Sequence, residues 1–454
     1  MSAAAPTTLT PDAATPAGVG DALRRYRRLV IVVRADPVIC GHSVEARNLA
    51  EAALLQGFEE VTILTWPIDR LEAAGLQLKP LDRVMPYSPG ITVERPDPVG
   101  DYRVPDGRWQ AGLVGRLIEL FTDGVPTVCL SLYLSPHTLA VTEAVTAARR
   151  TGLPVDVVTV AEAVGSDITN VVRTCVAQGR FGAAAHVMTS YLANDVVVAV
   201  SEYTKELIVS AATEIDALHG TSFAAQSAER VAISYPALDT ASYLEVDDAD
   251  VAAVLERRGL AGAPYVLFLS RLTEAKGVPD LITGFERATS TATGDVRLVI
   301  AGRGPQEAEI REIAAASPLA DRIHVLTDVD DAEKPALMQG AVAFVLPTLP
   351  RPEFVETFGI AVVEKMLAGG GVVATTTTGG VPEAVGDTAK IIEISDPDSI
   401  ARVLDEVLAM TPAEREAWEA RAREYALQFD RAEVLRKILA LVAHEVGASE
   451  SVAA

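Results

Sequence analysis

Basic residues are under-represented in this sequence. Across 454 residues, 39 Lys and Arg stand against 62 Asp and Glu, which gives a formal net charge of -23. A field of this sign repels the phosphates of nucleic acids, so nucleic acid is excluded as an expected partner. The local basic cluster RRYRR at 24–28 is interpreted as a solvated turn before the first strand.

Cysteine and histidine are also scarce. Cys40, Cys129 and Cys175 lie far apart without CxxC or mixed Cys/His spacing, which argues against both a disulfide framework and a zinc site. Free thiols suit a reducing compartment, so we expect a cytoplasmic protein. The acidic turn DVD at 328–330 fits an Asp-x-Asp metal motif, but helix capping is the favoured interpretation and no metal is expected.

Long apolar runs are absent as well. No run approaches the roughly 18 residues of a membrane span, so stable membrane insertion is not expected. The opening MSAAAPTTLTPDAATPAGVG lacks the basic start and apolar core of a signal peptide. It predicts a disordered tail over 1–24.

What the sequence does contain is small and branched apolar residues, since 49% of its residues are hydrophobic but only 5% are aromatic. Short β-branched runs alternate with helical spacing, first from RLVIVV at 28–33 and again from YVLFLSRL at 265–272. This alternation predicts parallel sheets built from βαβ units, and the length favours two cores. We therefore predict an α/β fold with two doubly wound Rossmann-like domains that face a central cleft.

The domain limits follow from where the alternation stops and resumes. The predicted divisions are the tail at 1–24, an N-terminal domain at 25–240, a C-terminal domain at 241–425, and a last segment at 426–454. The helix of the last segment is expected to pack back on the N-terminal domain before a flexible end. The Pro- and Gly-rich stretch from about 80 to 108 is predicted to be a long surface loop that helps to shape a pocket.

The stretch EFVETFGIAVVEKMLAGGG at 353–371 places one carboxylate before a predicted helix at 359–368 and another inside it. The N-terminus of that helix is a ready anion site, and amides of Phe358, Gly359 and Ile360 could bind a diphosphate. Glu356 and Glu364 could then accept hydrogen bonds from a hexose and a ribose. The alternative for both glutamates is a solvated helix face.

Two cations follow the predicted strand in LFLSRLTEAKG. Arg271 and Lys276 in the turn could hold a diphosphate and neutralise a departing phosphate, with ordinary surface charge as the alternative. The turn AGRGP contains Gly302 after another strand but lacks the GxGxxG spacing of a dinucleotide site.

Four segments in this order resemble the nucleotide-sugar-binding domain of GT-B glycosyltransferases of family four. They are LFLSRLTEAKGVPDLITGF, LVIAGRGP, LPT with ETFGIAVVEKMLAGG, and TTGGVPEAVGD, and they span roughly 263–388. VVAVSEYTKELI at 197–208 is similar to the last strand and helix of the family's N-terminal domain. The resemblance implies the GT-B fold, with the N-terminal domain binding the acceptor.

The resemblance also implies a reaction and a site. It implies metal-independent sugar transfer from a nucleoside diphosphate donor with retention of configuration, and no cofactor beyond this co-substrate. Arg271 and Lys276 would hold the diphosphate, Glu356 the hexose and Glu364 the ribose. The amides of Phe358, Gly359 and Ile360 would complete the cradle, and the nucleobase would lie between Gly302 and Leu326.

The N-terminal half departs from the family pattern. In place of a glycine-rich loop, DPVICGHSVEARN supplies the single Gly41, expected to contact the donor phosphate, with His42 as an acceptor-binding candidate. Leu132 replaces a family histidine, and His137 follows five positions later. His137 either contacts a donor or acceptor hydroxyl, as a catalytic candidate, or caps a helix.

A second family turn is altered at its first residue. VGSDI at 164–168 has Val164 where the family has histidine, and Asp167 is left to contact either the acceptor or the surrounding structure.

The predicted function is a retaining glycosyltransferase that moves a hexosyl group to a small hydroxylated or thiol acceptor, such as a sugar, a cyclitol or a secondary metabolite. The partners are then a nucleotide sugar and this acceptor, and the oligomeric state stays open. One alternative is a nucleotide-sugar epimerase with Glu356 and His137 as acid and base. Another is a non-catalytic nucleotide-sugar-binding protein.

Overall fold

The computed structural model describes residues 25–100, 107–352 and 354–453. The tail predicted over 1–24 lies outside the described residues. Within them, two parallel sheets with helices on their faces confirm the predicted α/β fold.

The N-terminal sheet has seven strands in the order β3-β2-β1-β4-β5-β6-β7. Its strand order reverses between β1 and β4, and strands β1, β4 and β5 are buried along their whole length because helices cover both faces. The strands are β1 Arg28–Val32, β2 Glu60–Leu64, β3 Ile91–Glu94, β4 Thr127–Leu132, β5 Val157–Ala163, β6 Val196–Ala199 and β7 Val231–Ile233.

The C-terminal sheet has six strands in the order β10-β9-β8-β11-β12-β13, and its order reverses between β8 and β11. At such a reversal the flanking connections leave opposite faces and open a crevice at the carboxyl ends of the strands. The strands are β8 Tyr265–Leu269, β9 Arg297–Ala301, β10 Ile323–Leu326, β11 Ala343–Leu346, β12 Val372–Thr375 and β13 Lys390–Ile391.

The α-helices cover these sheets. They are α1 Gly41–Leu55, α2 Ile68–Ala73, α3 Gly107–Thr122, α4 Leu139–Arg150, α5 Thr174–Ala177, α6 Phe181–Leu192, α7 Glu202–His219, α8 Phe223–Arg230, α9 Ala241–Leu244, α10 Asp248–Arg257, α11 Val278–Arg287, α12 Thr289–Thr293, α13 Glu307–Ala316, α14 Lys334–Gln339, α15 Ile360–Ala368, α16 Val381–Val385, α17 Pro397–Leu408, α18 Pro412–Ala426 and α19 Arg431–Ala453. Short 3₁₀ turns are Leu81–Arg83, Glu274–Lys276, Ala320–Arg322 and Leu427–Phe429, and π-helical turns are Leu134–Thr138 and Ile168–Arg173.

Helix α19 belongs to the N-terminal core although it follows the whole C-terminal sheet. Its apolar residues pack in one buried cluster with strand β1 and helix α1: Val434, Leu435, Ile438, Leu439 and Val442. The chain therefore passes between the domains twice. The two passages are bonded to each other, since Leu238 N donates to Phe429 O at 2.9 Å and Arg431 N to Leu238 O at 2.8 Å.

The stretch from 80 to 108 differs from the predicted loop. It contains strand β3, which pairs with β2 at the sheet edge, and residues 101–106 lie outside the described part. Side chains anchor its approach: Arg47 Nη1 donates to Pro86 O at 3.1 Å, and Tyr87 Oη to an Asp36 oxygen at 3.2 Å. Four residues between Pro-rich flanks are too short a run to predict as a strand.

No helix within the described ranges combines the length and the apolar character that a bilayer crossing demands.

Candidate active site

The carboxyl ends of the two sheets share one cavity of about 560 Å³. Its lining residues come directly after strands of both domains: Arg34, Tyr133 and Val164 after β1, β4 and β5, and Ser270 and Gly302 after β8 and β9. This is where parallel α/β sheets bind ligands.

Most of the predicted site residues line this cavity. They are Gly41, His42, Arg271, Lys276, Gly302, Glu356, Phe358, Gly359, Ile360 and Glu364. The domains approach closely here, since a Cβ added to Gly41 would lie 3.2 Å from Cδ1 of Ile360. The start of α1 and the start of α15 therefore face each other across the cavity.

The start of α15 is built for close approach to its backbone. Gly359 is the N-cap with φ of 99°, a left-handed conformation that costs a residue with a side chain about 1–2 kcal/mol. Phe358 is 2% exposed, and its ring centroid lies 5.6 Å from that of Tyr235 and 5.0 Å from that of Phe429. These contacts fix the loop whose amides open toward the cavity.

Lys276 and Glu356 form an ion pair in the cavity wall. Lys276 is 5% exposed, and its Nζ lies 5.2 Å from the centre of the Phe354 ring. The Arg271 guanidinium lies 5.5 Å from the same ring. Phe354 thus places both predicted cations on one side of the cavity.

Glu364 is held by two residues that the sequence interpretation missed. Its Oε1 accepts from Tyr243 Oη at 2.7 Å and from Lys334 Nζ at 2.6 Å. Both contacts use Oε1, so neither occupies Oε2. Tyr243 and Glu364 are 121 positions apart, and no local pattern pairs them.

His42 lines the cavity together with Arg34 and Arg271. Burial, and then the charges of Arg34 and Arg271, lower the pKa of His42 to about 3. The ring is therefore neutral at physiological pH. Its Nδ1 has no hydrogen-bond partner within the described residues.

His137 does not reach the cavity. It is 1% exposed, and its ring packs edge-on against Trp66 with centroids 4.6 Å apart. Burial, followed by the charges of Arg34 and His42, lowers its pKa to about 3. The expected contact with a hydroxyl is therefore corrected to a packing position, because the π-helical turn Leu134–Thr138 directs the ring inward.

Asp167 and Leu326 are likewise not part of the lining. The Asp167 carboxylate accepts from the amides of Leu134, Val164, Gly165 and Ile168, which ties the loops after β4 and β5 together. Of its two expected roles, the structure places it in the structural one. Leu326 contributes its carbonyl, which accepts from Gly302 N at 2.9 Å.

A buried carboxyl pair behind the cavity was also missed. Glu45 and Glu162 are both 2% exposed, and Glu45 touches the cavity. Burial raises the pKa of Glu45 to about 7, and burial followed by the charge of Glu45 raises the pKa of Glu162. A proton held between them removes the repulsion between two buried carboxylates. On the sequence, Glu45 looks like one more polar residue of a helix.

The aspartates of the acidic turn at 328–330 form their contacts with other groups of the protein. Asp328 pairs with Arg258 at 2.8 Å, and Asp330 Oδ1 accepts from the amides of Ala332 and Glu333. Across the described ranges, His, Cys, Asp and Glu side chains do not gather in threes that could hold a metal ion.

Comparison with known proteins finds a family model that matches part of the chain and solved structures that share the fold of most of it. Residues 256–425 match the family model described as Glycosyl transferases group 1. A relative from Mycolicibacterium smegmatis, a GDP-mannose-dependent alpha-(1-6)-phosphatidylinositol monomannoside mannosyltransferase, is 30% identical over 237 residues, which cover 51% of this chain and 58% of that protein. The 2-deoxystreptamine glucosyltransferase of Streptomyces kanamyceticus is 28% identical over 202 residues, 42% of this chain and 50% of that protein.

The chain spans about half the length of the curated relatives that it matches. The fold likeness is more extensive. The crystal structure of Anabaena HepE in complex with UDP and glucose superposes with a TM-score of 0.66 at 17% identity, over 92% of this chain and 100% of that one. Residues 256–425 are therefore similar to the glycosyl transferases group 1 family, and the two domains together have the GT-B fold.

Proposed function

We propose that this protein is a retaining glycosyltransferase that moves a hexosyl group from a nucleoside diphosphate sugar to a small hydroxylated or thiol acceptor. The observation that carries the proposal is the convergence of Arg271, the Lys276–Glu356 pair and the N-terminus of α15 on one cavity between the domains. Cations and free amides suit a diphosphate, and the carboxylates beside them suit sugar hydroxyls.

We propose one orientation for the donor in this cavity. Its diphosphate lies at the start of α15 beside Arg271 and Lys276, and its hexose lies against Glu356. Its ribose reaches Oε2 of Glu364, the oxygen left free by Tyr243 and Lys334. Its nucleobase enters the crevice beside Gly302 and Thr327.

Charge develops on the diphosphate as the reaction proceeds. The bond between the anomeric carbon and the phosphate oxygen breaks, the acceptor oxygen or sulfur bonds to that carbon, and the acceptor proton passes to the departing phosphate. Arg271, Lys276 and the dipole of α15 stabilise the growing negative charge without a metal ion. Approach of the acceptor on the leaving-group face gives retention.

The named relatives support a choice of donors to try first. The mycobacterial relative is named for GDP-mannose, and the Anabaena protein is crystallised with UDP and glucose. The two curated names include a lipid-linked acceptor and an aminocyclitol. Acceptor class therefore varies among the proteins that this chain resembles.

The test is a binding and turnover screen with UDP-, GDP-, ADP- and dTDP-sugars. A donor at 100 times its dissociation constant should stabilise the fold by about 2.7 kcal/mol, which a thermal shift reveals. Release of nucleoside diphosphate only when a polyol, sugar or thiol acceptor is added is the expected result. Isomerised donor would indicate the epimerase, and binding without any turnover would indicate a regulatory protein.

A further inference from the structure

Arg34 is a cation of the cavity that pairs with no carboxylate in the described part of the chain. The lysines of the same lining are all paired: Lys276 with Glu356, Lys334 with Glu364, and Lys79 with Asp36 and Asp331. Within the described residues neither Arg34 nor Arg271 has an ion pair. Arg83 is exposed to solvent, and Arg303 Nε donates to the Thr327 carbonyl.

The two unpaired arginines serve different sides of the cavity. Arg271 follows β8 in the C-terminal domain, beside Lys276 and Phe354. Arg34 follows β1 in the N-terminal domain, and its guanidinium lies 5.5 Å from the centre of the Tyr133 ring.

Both arginines are near enough to His42 to affect its titration. Both charges lower the pKa of His42, but only that of Arg34 is among the leading charges that lower the pKa of His137, behind Tyr133. Arg34 therefore belongs to the wall of the cavity that the N-terminal sheet supplies, whereas Arg271 and α15 belong to the wall that the C-terminal sheet supplies.

The surroundings of Arg34 are suited to a polar anion. Arg34 is half-buried, so without a ligand it loses hydration that no carboxylate replaces. His42, whose ring is neutral, and Ser166 and Asn170 add polar side chains to the same lining. A guanidinium binds phosphate or carboxylate through two parallel hydrogen bonds.

We propose that Arg34 binds an anionic group on the acceptor, so that the acceptor is a small hydroxylated molecule carrying a phosphate or a carboxylate. This inference rests on the proposed function, because it assumes that Arg271 is occupied by the donor diphosphate. Anchoring the acceptor by its charge leaves its hydroxyl free to approach the anomeric carbon beside Glu356. In a protein of net charge -23, a cleft cation that the donor does not occupy is a selective anchor for an anion.

The experiment is a calorimetric titration of inorganic phosphate into protein already saturated with UDP or GDP, whichever binds. The wild type should bind one phosphate per chain in addition to the nucleotide. Arg34→Gln should weaken phosphate binding about tenfold or more, and Arg34→Lys should restore part of it. Arg150→Gln, an equal loss of charge at the exposed end of α4, should leave phosphate binding unchanged.

Measuring nucleotide binding by the same variants distinguishes the possible outcomes. Arg34→Gln should keep the wild-type affinity for the nucleotide, whereas Arg271→Gln should lose it. Equal loss of nucleotide in both variants would assign Arg34 to the donor and overturn the inference. It is also overturned if nucleotide-saturated wild type takes up no phosphate, or if Arg34→Gln takes up as much. Absence of nucleotide binding in the wild type would instead refute the proposed function.

Discussion

At the scale of single residues, the cavity is organised by charge pairs that cross between loops. Lys276 and Glu356 come from different loops of the C-terminal domain and are both nearly buried. Each holds the other in place before any ligand arrives. Because the pair is shielded from water, removal of either partner leaves a charge that the protein cannot easily solvate.

Replacement of Lys276 tests this pair. Lys276→Met should weaken nucleoside diphosphate binding by about 10–100-fold, because it removes a charge-assisted contact and leaves Glu356 unpaired. Isothermal titration calorimetry with UDP and GDP measures the change. Lys437→Met, in an exposed pair on α19, is the matched control and should bind as the wild type does. An unchanged affinity in Lys276→Met would remove Lys276 from the donor site.

Some of these residues could be predicted from the sequence, and others could not. Two contiguous segments of the sequence predict a site for a diphosphate and a sugar, and they contain Arg271 and Lys276 in one and Glu356 and Glu364 in the other. The partners Lys334 and Tyr243 become neighbours of Glu364 only when the strands of the sheet are ordered. The burial of His137 against Trp66 could not be predicted, because it depends on how the turn after β4 packs on a loop from another part of the sheet.

The carboxyl pair behind the cavity gives the protein a specific response to pH. Burial raises the pKa of Glu45 from 4.5 to about 7, so between these values the native state keeps a proton that the unfolded chain has lost. Stability is therefore lost as the pH rises through this window. Because Glu45→Gln has no carboxyl group to titrate at this position, it should not show this loss of stability with rising pH.

The difference in melting temperature between Glu45→Gln and the wild type should grow from pH 5 to pH 8, equivalent to on the order of 2 kcal/mol. Differential scanning calorimetry at several pH values measures it. Glu72→Gln, on an exposed surface, should show no such trend. A difference that stays constant with pH would mean that Glu45 is not protonated in the native state.

At the scale of elements, helix α15 begins at the cavity and carries Glu364 into its wall. Its N-terminus opens on the cavity, and its C-terminus is tied down by Lys365, whose Nζ donates to the carbonyls of Met338, Ala341 and Gly369 at 2.7, 2.7 and 2.5 Å. The helix is thus fixed at both ends. The sequence predicted its extent within one residue, because Gly359 and Gly369 mark its limits.

The left-handed start of α15 can be tested directly. Gly359→Ala should lower the free energy of unfolding by about 1–2 kcal/mol, since the added Cβ disfavours the φ of 99° and meets Val362 Cγ2 at 3.3 Å. Nucleotide binding should weaken with it, as the amides shift. Denaturant unfolding and calorimetry provide the two readouts.

The control for this change is Gly447→Ala, inside α19, where a Cβ meets nothing within 4 Å. That variant should be neutral or up to about 1 kcal/mol more stable. Equal effects at the two glycines would argue against a special backbone at Gly359.

At the scale of the whole molecule, the two domains are joined by contacts as well as by the chain. The Glu383 carboxylate of the C-terminal domain accepts from Glu202 N at 2.8 Å and Tyr203 N at 3.0 Å, the first amides of α7 in the N-terminal domain. Lys79 meets Asp331 across the cavity at 2.7 Å. The sequence predicted two domains and a cleft, but not these contacts, which depend on how the domains face each other.

Loss of the Glu383 contact should loosen the start of α7. Glu383→Ala should speed hydrogen exchange at the amides of Glu202 and Tyr203 about 5- to 30-fold, because it removes a carboxylate from the positive end of a helix. Exchange measured by mass spectrometry or NMR reports it. Glu393→Ala, at an exposed position of the same domain, should leave these amides unchanged. Equal protection in Glu383→Ala would show that other contacts cover this helix end.

The return of α19 to the N-terminal core has a consequence for biosynthesis. The residues from Val434 to Val442 that complete this core are translated after the entire C-terminal sheet. The first domain therefore emerges from the ribosome with an apolar groove along α1 that only the later helix can fill. The C-terminal sheet can therefore complete its folding before the N-terminal core does, because the helix that completes the N-terminal core is synthesised last.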